Sequence, residues 1–101
     1  MKEIPKLKTS IVERQGITYL VNSTTPLTGI AGTYYENEQL EQKIQFKNGK
    51  REGLREVFHK NGQLMSTGNY KNGQRHGISK WFHKNGRLRS WSNYKKGKPT
   101  T

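Results

Sequence analysis

Three histidines carry the side chains of this sequence that most readily bind metals or transfer protons. His59 and His83 occupy the same place in a repeated phrase, FHKNGQL and FHKNGRL, and His76 lies in the tripeptide RHG. A transition-metal site needs two or three such ligands, usually with a carboxylate or thiolate. The chain has no cysteine or aspartate, and its last acid is Glu56. We therefore expect no metal site.

Catalysis is not indicated by the spacing of reactive residues either. All seven glutamates lie outside the half of the chain that carries the histidines, and no nucleophile stands beside a base. Tyr35 takes the place of His59 in an earlier copy of the phrase, which indicates a preference for an amphipathic ring. The glycines form no phosphate-binding motif before a helix. We expect a non-enzymatic protein with no cofactor and no small-molecule substrate.

Basic and aromatic residues alternate in KWFHKNGRLRSWSNYKKGK, which begins at Lys80. This pattern can bind single-stranded nucleic acid by base stacking over a positive groove, and Trp and Arg are also enriched in protein interfaces. Apolar and polar residues alternate in any β-strand, so the alternation alone does not indicate a binding surface. However, Arg89 replaces Met65 and Trp91 replaces Thr67 of the preceding copy, which makes the last repeat more basic and aromatic than the repeat requires. The predicted partner-binding residues are His59, Lys60, Trp81, His83, Lys84, Arg87, Arg89, Trp91, Tyr94, Lys95 and Lys96.

Positive charge is concentrated in the second half of the chain. The net charge is +12, from 19 Lys and Arg against seven acids. Residues 58–101 hold ten basic residues and no acid, whereas 34–57 hold five of each. Such a field steers an acidic partner toward the basic half, whether that partner is a protein, a nucleic acid or an anionic lipid surface.

The length and composition fit one small domain. At 101 residues with 29% hydrophobic residues, composition alone lies near the disordered class. Ten aromatic residues and regularly spaced glycines argue for a fold. The sequence shows no signal peptide and no apolar run of membrane-spanning length, so we expect a cytoplasmic protein.

A period of 24 residues organises the chain. It aligns 34–57 with 58–81 and 82–98, and the last two copies agree at eleven of 17 positions. KNG recurs at alternating spacings of 13 and 11 residues, and Asn-Gly between alternating strands predicts hairpins with type I′ turns. The predicted fold is all-β: a single elongated antiparallel meander sheet of consecutive β-hairpins. The sequence does not fix the pairing register. A longer bulged turn would place Phe58 and Leu64 on the same face of the sheet, and a two-residue turn would place them on opposite faces.

The first third of the chain is less regular. We divide the sequence into an N-terminal segment, 1–15, which includes the start of a capping hairpin; lead-in strands, 16–33; repeats, 34–98; and a tail, 99–101. The hairpin is expected to turn near Gln15 and Gly16 and to cap the first edge of the sheet.

Phased copies of the form FHKNGQL followed by GNYKNG, behind the lead-in GITYLVNSTTPLTG, resemble the MORN-repeat variant family. Within it they are similar to the bacterial YwqK-type antitoxins, and the likeness extends over residues 16–98. The resemblance implies a sheet of hairpins and neutralisation of a cognate toxin. Relatives in the wider MORN class imply protein docking or binding to acidic phospholipid. Glu38, Ser92 and Pro99 depart from the pattern.

Our leading hypothesis from the sequence is an antitoxin or immunity protein that blocks an acidic toxin by direct contact. The basic sheet face from 59 to 98 would cover the toxin, and an exposed final strand at 87–94 would pair with it edge to edge. The alternative is a module that binds nucleic acid or anionic membrane through the same face. A third possibility is an architectural repeat with a neutral partner.

Overall fold

The computed structural model describes residues 11–100. The first ten residues of the predicted N-terminal segment, and residue 101 of the tail, lie outside this range. The described chain contains ten strands and no helix. They are β1 Ile11–Arg14, β2 Ile17–Leu20, β3 Gly29–Tyr34, β4 Leu40–Lys47, β5 Lys50–Phe58, β6 Leu64–Lys71, β7 Gln74–Arg75, β8 Gly77–Phe82, β9 Leu88–Lys95 and β10 Lys98–Pro99.

Eight of the strands form one open antiparallel sheet in the order β10-β9-β8-β6-β5-β4-β3, with β7 beside β6. Consecutive strands are neighbours, so the predicted meander of hairpins is confirmed. The molecule is elongated, with extents of 40 × 35 × 24 Å. Strands β7 and β8 correspond to the single strand β5 of the preceding repeat, interrupted at His76, whose amide donates to Asn69 O at 2.8 Å.

Two-residue turns close the hairpins at one end of the sheet, which we call the narrow-turn end. Asn48-Gly49, Asn72-Gly73 and Lys96-Gly97 all have positive φ at both positions, at 51 to 53° and 81 to 83°. These are the values of a type I′ turn, which suits the right-handed twist of the flanking strands. The turn between β1 and β2, at Gln15 and Gly16, has the same form, as predicted.

Five-residue turns close the other end, which we call the wide-turn end: 35–39, 59–63 and 83–87. In all three, an Asn side chain accepts a hydrogen bond from the amide two residues later, at 3.0 Å for Asn37, 2.9 Å for Asn61 and 3.0 Å for Asn85. A bulge follows each turn and pairs Phe58 with Leu64. The register left open by the sequence is therefore settled: the two side chains lie opposite each other on the same face.

Burial is confined to one face of the sheet, which we call the buried side. Ala31, Ile44 and Phe46 are 3 to 5% exposed and form its apolar cluster. The other face, the open side, carries half-exposed aliphatic residues at the period of the repeat: Ile30, Leu54 and Ile78. One sheet without a second layer buries little surface, which explains the low apolar content of the sequence.

The hairpin β1–β2 docks on the narrow-turn end. Thr18 N donates to Gly49 O at 2.8 Å, Gly49 N donates to Leu27 O at 2.7 Å, and Leu27 N donates to Thr18 O at 2.9 Å. The hairpin forms its own two-stranded sheet and does not pair with β3. Its expected position on the first sheet edge is therefore corrected: it is held by the β4–β5 turn, because Gly49 leaves room for Ile17 there.

Lys96 is the first residue of a type I′ turn whose counterparts are Asn48 and Asn72, and its φ is 52°. Asn tolerates this left-handed conformation better than Lys. Lys96→Asn is therefore expected to raise the free energy of unfolding by about 0.5 kcal/mol, measured by urea denaturation as a higher midpoint at an unchanged slope. The reverse change, Asn72→Lys, should lower it similarly; equal midpoints for all three proteins would contradict this account.

Candidate functional site

The predicted partner-binding residues do not share one face. The wide-turn end carries His59, Lys60, His83, Lys84 and Arg87, whereas Lys95 and Lys96 lie at the narrow-turn end. Register places Trp81 opposite Ser66 and Tyr94 opposite Gly77 on the buried side, and Trp91 opposite Lys80 on the open side. The basic residues therefore do not form the single face expected from the sequence. They lie on the last strands of the strand order, β8 and β9, and on the turns of these strands, and we call this region the basic end of the sheet.

The ring position shared by Tyr35, His59 and His83 links consecutive repeats. The hydroxyl of Tyr35 donates to Phe58 O at 2.6 Å, and His59 Nε2 lies 3.1 Å from Phe82 O. In these two copies the ring forms a hydrogen bond to the carbonyl oxygen 23 residues later. Either Tyr or His can occupy the position because each ring carries a polar atom that reaches this carbonyl. His83 is exposed and has no such contact in the described part of the chain.

Strand β9 is only partly covered on its outer edge. Strand β10 pairs with Tyr94 and Lys95, and Thr100 N donates to Asn93 O at 2.7 Å, so only the edge from Leu88 to Ser92 has no partner among residues 11–100. Leu88 and Trp91 are each 51% exposed along it. The turn that leads into this edge borders an open cleft lined by His83, Lys84, Asn85 and Arg87.

Acidic partners for the basic end are missing within the described chain. The described salt bridge joins Lys43 Nζ to Glu56 Oε1 at 3.1 Å, on the open side between β4 and β5. The next residues in that row across the sheet are Thr67, Lys80 and Trp91. In this row, charge compensation therefore ends at β5, and the exposed Lys80 beyond it has no described acidic partner.

Three arginines that the sequence prediction omitted lie together on the buried side. Arg51 Cζ is 5.4 Å from the centre of the Tyr70 ring, and Arg75 Cζ is 5.6 Å from that of Trp81 and 5.2 Å from that of Tyr94. Such cation–π contacts cover aromatic rings that no second layer shields. Arg55 donates to Gln42 Oε1 at 3.1 Å, and its Nε–H is buried without an acceptor.

These guanidinium groups shift the pKa values around Tyr70. Burial alone would raise the pKa of Tyr70, but a hydrogen bond from Arg75 and the charges of Arg75, Arg55 and Arg51 outweigh burial and lower it. Burial lowers the pKa of Arg55, and repulsion from Arg51 and Arg75 acts in the same direction. The centre of the buried side is thus an electropositive spot around one phenol.

A signal for these arginines was present in the 24-residue alignment. Arg51 and Arg75 are equivalent to Leu27, and Arg55 is equivalent to Ala31 and Ser79. Leu27 packs against the apolar cluster, which includes the Phe46 ring. The repeat position that Leu27 shares with Arg51 and Arg75 therefore requires a side chain that covers a ring, and that side chain does not have to be charged. The differences between repeats at these two positions, like those at Arg89 and Trp91, are the sequence signal that marks the cluster.

Tyr70 provides a test of this electrostatic environment. The pKa of its phenol should lie below the ordinary tyrosine value of about 10, and Arg75→Gln should raise this pKa. Because the folded-state pKa is lowered, the phenolate contributes stability that is complete above its unfolded value of about 10 and is lost as pH falls through the folded value. Tyrosine Cζ chemical shifts against pH measure this, and coincident titration of Tyr70 in both proteins would contradict it.

Two classes of site find no support in the described residues. Residues 11–100 contain no group of three His, Cys, Asp or Glu that could hold a metal ion. A search of the same residues finds no helix that is long and apolar enough to cross a membrane.

Comparison with known proteins identifies the repeats. A family described as the MORN repeat variant matches residues 27–48, 51–72 and 75–96. No curated protein and no solved structure matches the chain. The matched segments share the 24-residue period and begin seven residues before the repeats defined above, so each spans one hairpin and its wide turn. With three tandem matches over about two thirds of its length, the chain belongs to the MORN repeat variant family.

Proposed function

We propose that this protein is a non-enzymatic binding protein, an antitoxin or immunity protein that neutralises a cognate toxin by direct contact. The observation that carries the proposal is the basic end of the sheet: ten basic residues and no acid from residue 58 onward, beside an uncovered strand edge. Uncompensated charge next to unpaired backbone groups is a surface suited to an acidic protein partner.

The contact would combine steering with strand addition. The field of β8, β9 and their turns attracts an acidic surface, which increases the rate of encounter. An extended segment of the toxin then pairs with the outer edge of β9, where backbone hydrogen bonds supply affinity and side chains supply specificity. Trp91 and Leu88 offer apolar contacts beside Arg89, the mixture typical of interface hot spots. The bound protein blocks the toxin by covering its active site.

Co-expression with the product of the adjacent gene tests this proposal. We expect a stable complex on co-purification and rescue of growth when that product is toxic. The variant Arg87→Glu/Arg89→Glu/Lys95→Glu should weaken the complex at least a hundredfold, because each reversed charge then repels the acidic surface. A charge-reversal control at the first narrow turn, Lys47→Glu/Lys50→Glu, should retain binding. Absence of any complex would overturn the proposal.

Binding to nucleic acid or anionic membrane is the competing outcome. A +12 protein binds RNA weakly in any case, so the deciding observation is tight binding that falls steeply with salt and depends on the β9 residues. Flotation with vesicles that contain or lack acidic lipid tests the membrane arm. Either result, in the absence of a protein complex, would replace the antitoxin proposal.

A further inference from the structure

The central repeat brings three guanidinium groups to one point on the buried side. Arg51, Arg55 and Arg75 all surround Tyr70, which is 8% exposed. Register fixes the arrangement, since Tyr70 pairs with Gly53 on one side and with Arg75 on the other.

Folding alone does not require three charges at this place. The same two repeat positions are Leu27 and Ala31 in the lead-in strand, where they form a neutral apolar cluster with Ile44 and Phe46. Like charges held this close repel one another, and no described salt bridge involves any of the three arginines. An anion would remove the repulsion.

One donor group of this cluster has no acceptor within the described chain. The Nε–H of Arg55 is buried without an acceptor, which is costly for a charged donor. Beside Arg55 is a small pit of about 10 Å³, lined by Gly68, Tyr70, Arg75, Ser79 and Trp81 among others. Gly68 has no side chain to occupy the pit, and a Cβ there would lie 2.7 Å from Ser79 Oγ, so a larger residue would crowd it.

We propose that Arg51, Arg55 and Arg75 form a binding site for a carboxylate, which receives an Asp or Glu side chain of the protein's partner. The pit has room for about one oxygen atom. A flat carboxylate can place one oxygen in it and the other against a second guanidinium, the paired geometry that arginine favours. The identification of the source as a partner protein rests on the proposed function, whereas the carboxylate site itself does not.

The site can be tested without the partner, using glutarate as the probe. We expect glutarate to shift the Arg55 Nε–H resonance at pH 6.5 in a saturable manner, compared with sodium chloride at equal ionic strength. Arg55→Lys removes this resonance and so assigns it, and glutarate binding to that variant is followed by the backbone amide shifts of Gly68 and Tyr70. The affinity should be about tenfold weaker than that of the parent measured by the same shifts, the size of one charge-assisted hydrogen bond. Arg51→Gln and Arg75→Gln should each weaken it severalfold. The control Lys47→Gln, an exposed cation on the open side, should bind as the parent does.

Each outcome decides the assignment. No saturable shift with glutarate, or equal affinity in Arg55→Lys and the parent, overturns the carboxylate site. A shift with inorganic phosphate but not with glutarate overturns it in favour of a phosphate site. Amide spectra of the variants show whether they are folded, and Gly68→Ala, which fills the pit while keeping all three charges, should also abolish the shift.

The partner arm separates this inference from the proposed function. If the adjacent gene product is captured, Arg51→Gln/Arg75→Gln should weaken its complex at least tenfold while Lys47→Gln does not. Capture with unchanged affinity for the double variant would overturn the assignment of the occupant and leave the antitoxin proposal standing. Glutarate binding without any captured protein would have the opposite meaning, since the proposed function fails while the carboxylate site stands.

Discussion

Gly49→Ala is expected to lower the free energy of unfolding by about 3 kcal/mol, combining left-handed backbone strain with overpacking. The φ of Gly49 is 81°, and a Cβ there would lie 2.3 Å from Ile17 Cγ2 and 3.0 Å from Thr18 O. The methyl group therefore displaces the β1–β2 hairpin from the turn that holds it. Urea denaturation measures the loss, and amide exchange should show faster opening at Thr18, which donates to Gly49 O.

Gly73→Ala is the matched control for this variant. Gly73 has nearly the same φ, 83°, in the equivalent turn, but its nearest atom to a new Cβ is Lys50 Cβ at 3.9 Å. Only the backbone strain remains, so we expect a loss of about 1 kcal/mol. The difference between the two variants measures the docking of the hairpin. Equal losses would mean that the hairpin contributes nothing to stability.

Ile44→Ala is expected to lower the free energy of unfolding by about 3 kcal/mol. Ile44 is 5% exposed in the apolar cluster with Ala31 and Phe46, and a protein with so small a core has few other contacts to compensate. A shift of the urea midpoint with preserved cooperativity measures the effect. Unfolding of the variant without denaturant would agree with a loss of this size, given the marginal stability of small domains.

Ile78→Ala removes the same atoms from the open side. Ile78 is 44% exposed, so we expect a loss below about 1 kcal/mol. Comparable losses for the two isoleucines would show that the open side is covered in solution, and the assignment of the core to one face would then be wrong.

Local chemistry made most of the fold predictable. Asn-Gly pairs define their turns because few residues accept positive φ, and a fixed 24-residue period carries each assignment from one hairpin to the next. The wide turns were harder, since the face of Leu64 depends on its direct pairing with Phe58, and the bulge beside that pair is set by contacts across the strands. The position of the β1–β2 hairpin was not predictable, because it depends on contacts with Gly49, about 30 residues away.

The candidate site was only partly predictable. Sequence comparison selected Arg89 and Trp91 because they differ from the preceding repeat, and the structure places them on or beside the uncovered edge of β9. The same sequence did not show that strand alternation sends Trp81 and Trp91 to opposite faces. Nor did it show that Arg51, Arg55 and Arg75 meet at one ring. That meeting depends on the register, which sets the residues of β5 and β7 that lie opposite the ring on β6.

The hydrogen bonds between repeats have a consequence for how such a chain can change length. Tyr35 reaches Phe58 O and His59 reaches Phe82 O, and the amides of Gly73 and Gly97 bond to Arg51 O and Arg75 O, each 22 residues earlier. These junctions use equivalent repeat positions, so adding or deleting 24 residues in register reconnects each broken bond to an equivalent partner. Duplication of a gene segment would therefore lengthen the sheet without disturbing the flanking repeats. The surface that the sheet offers to a partner would then change in steps of one whole repeat.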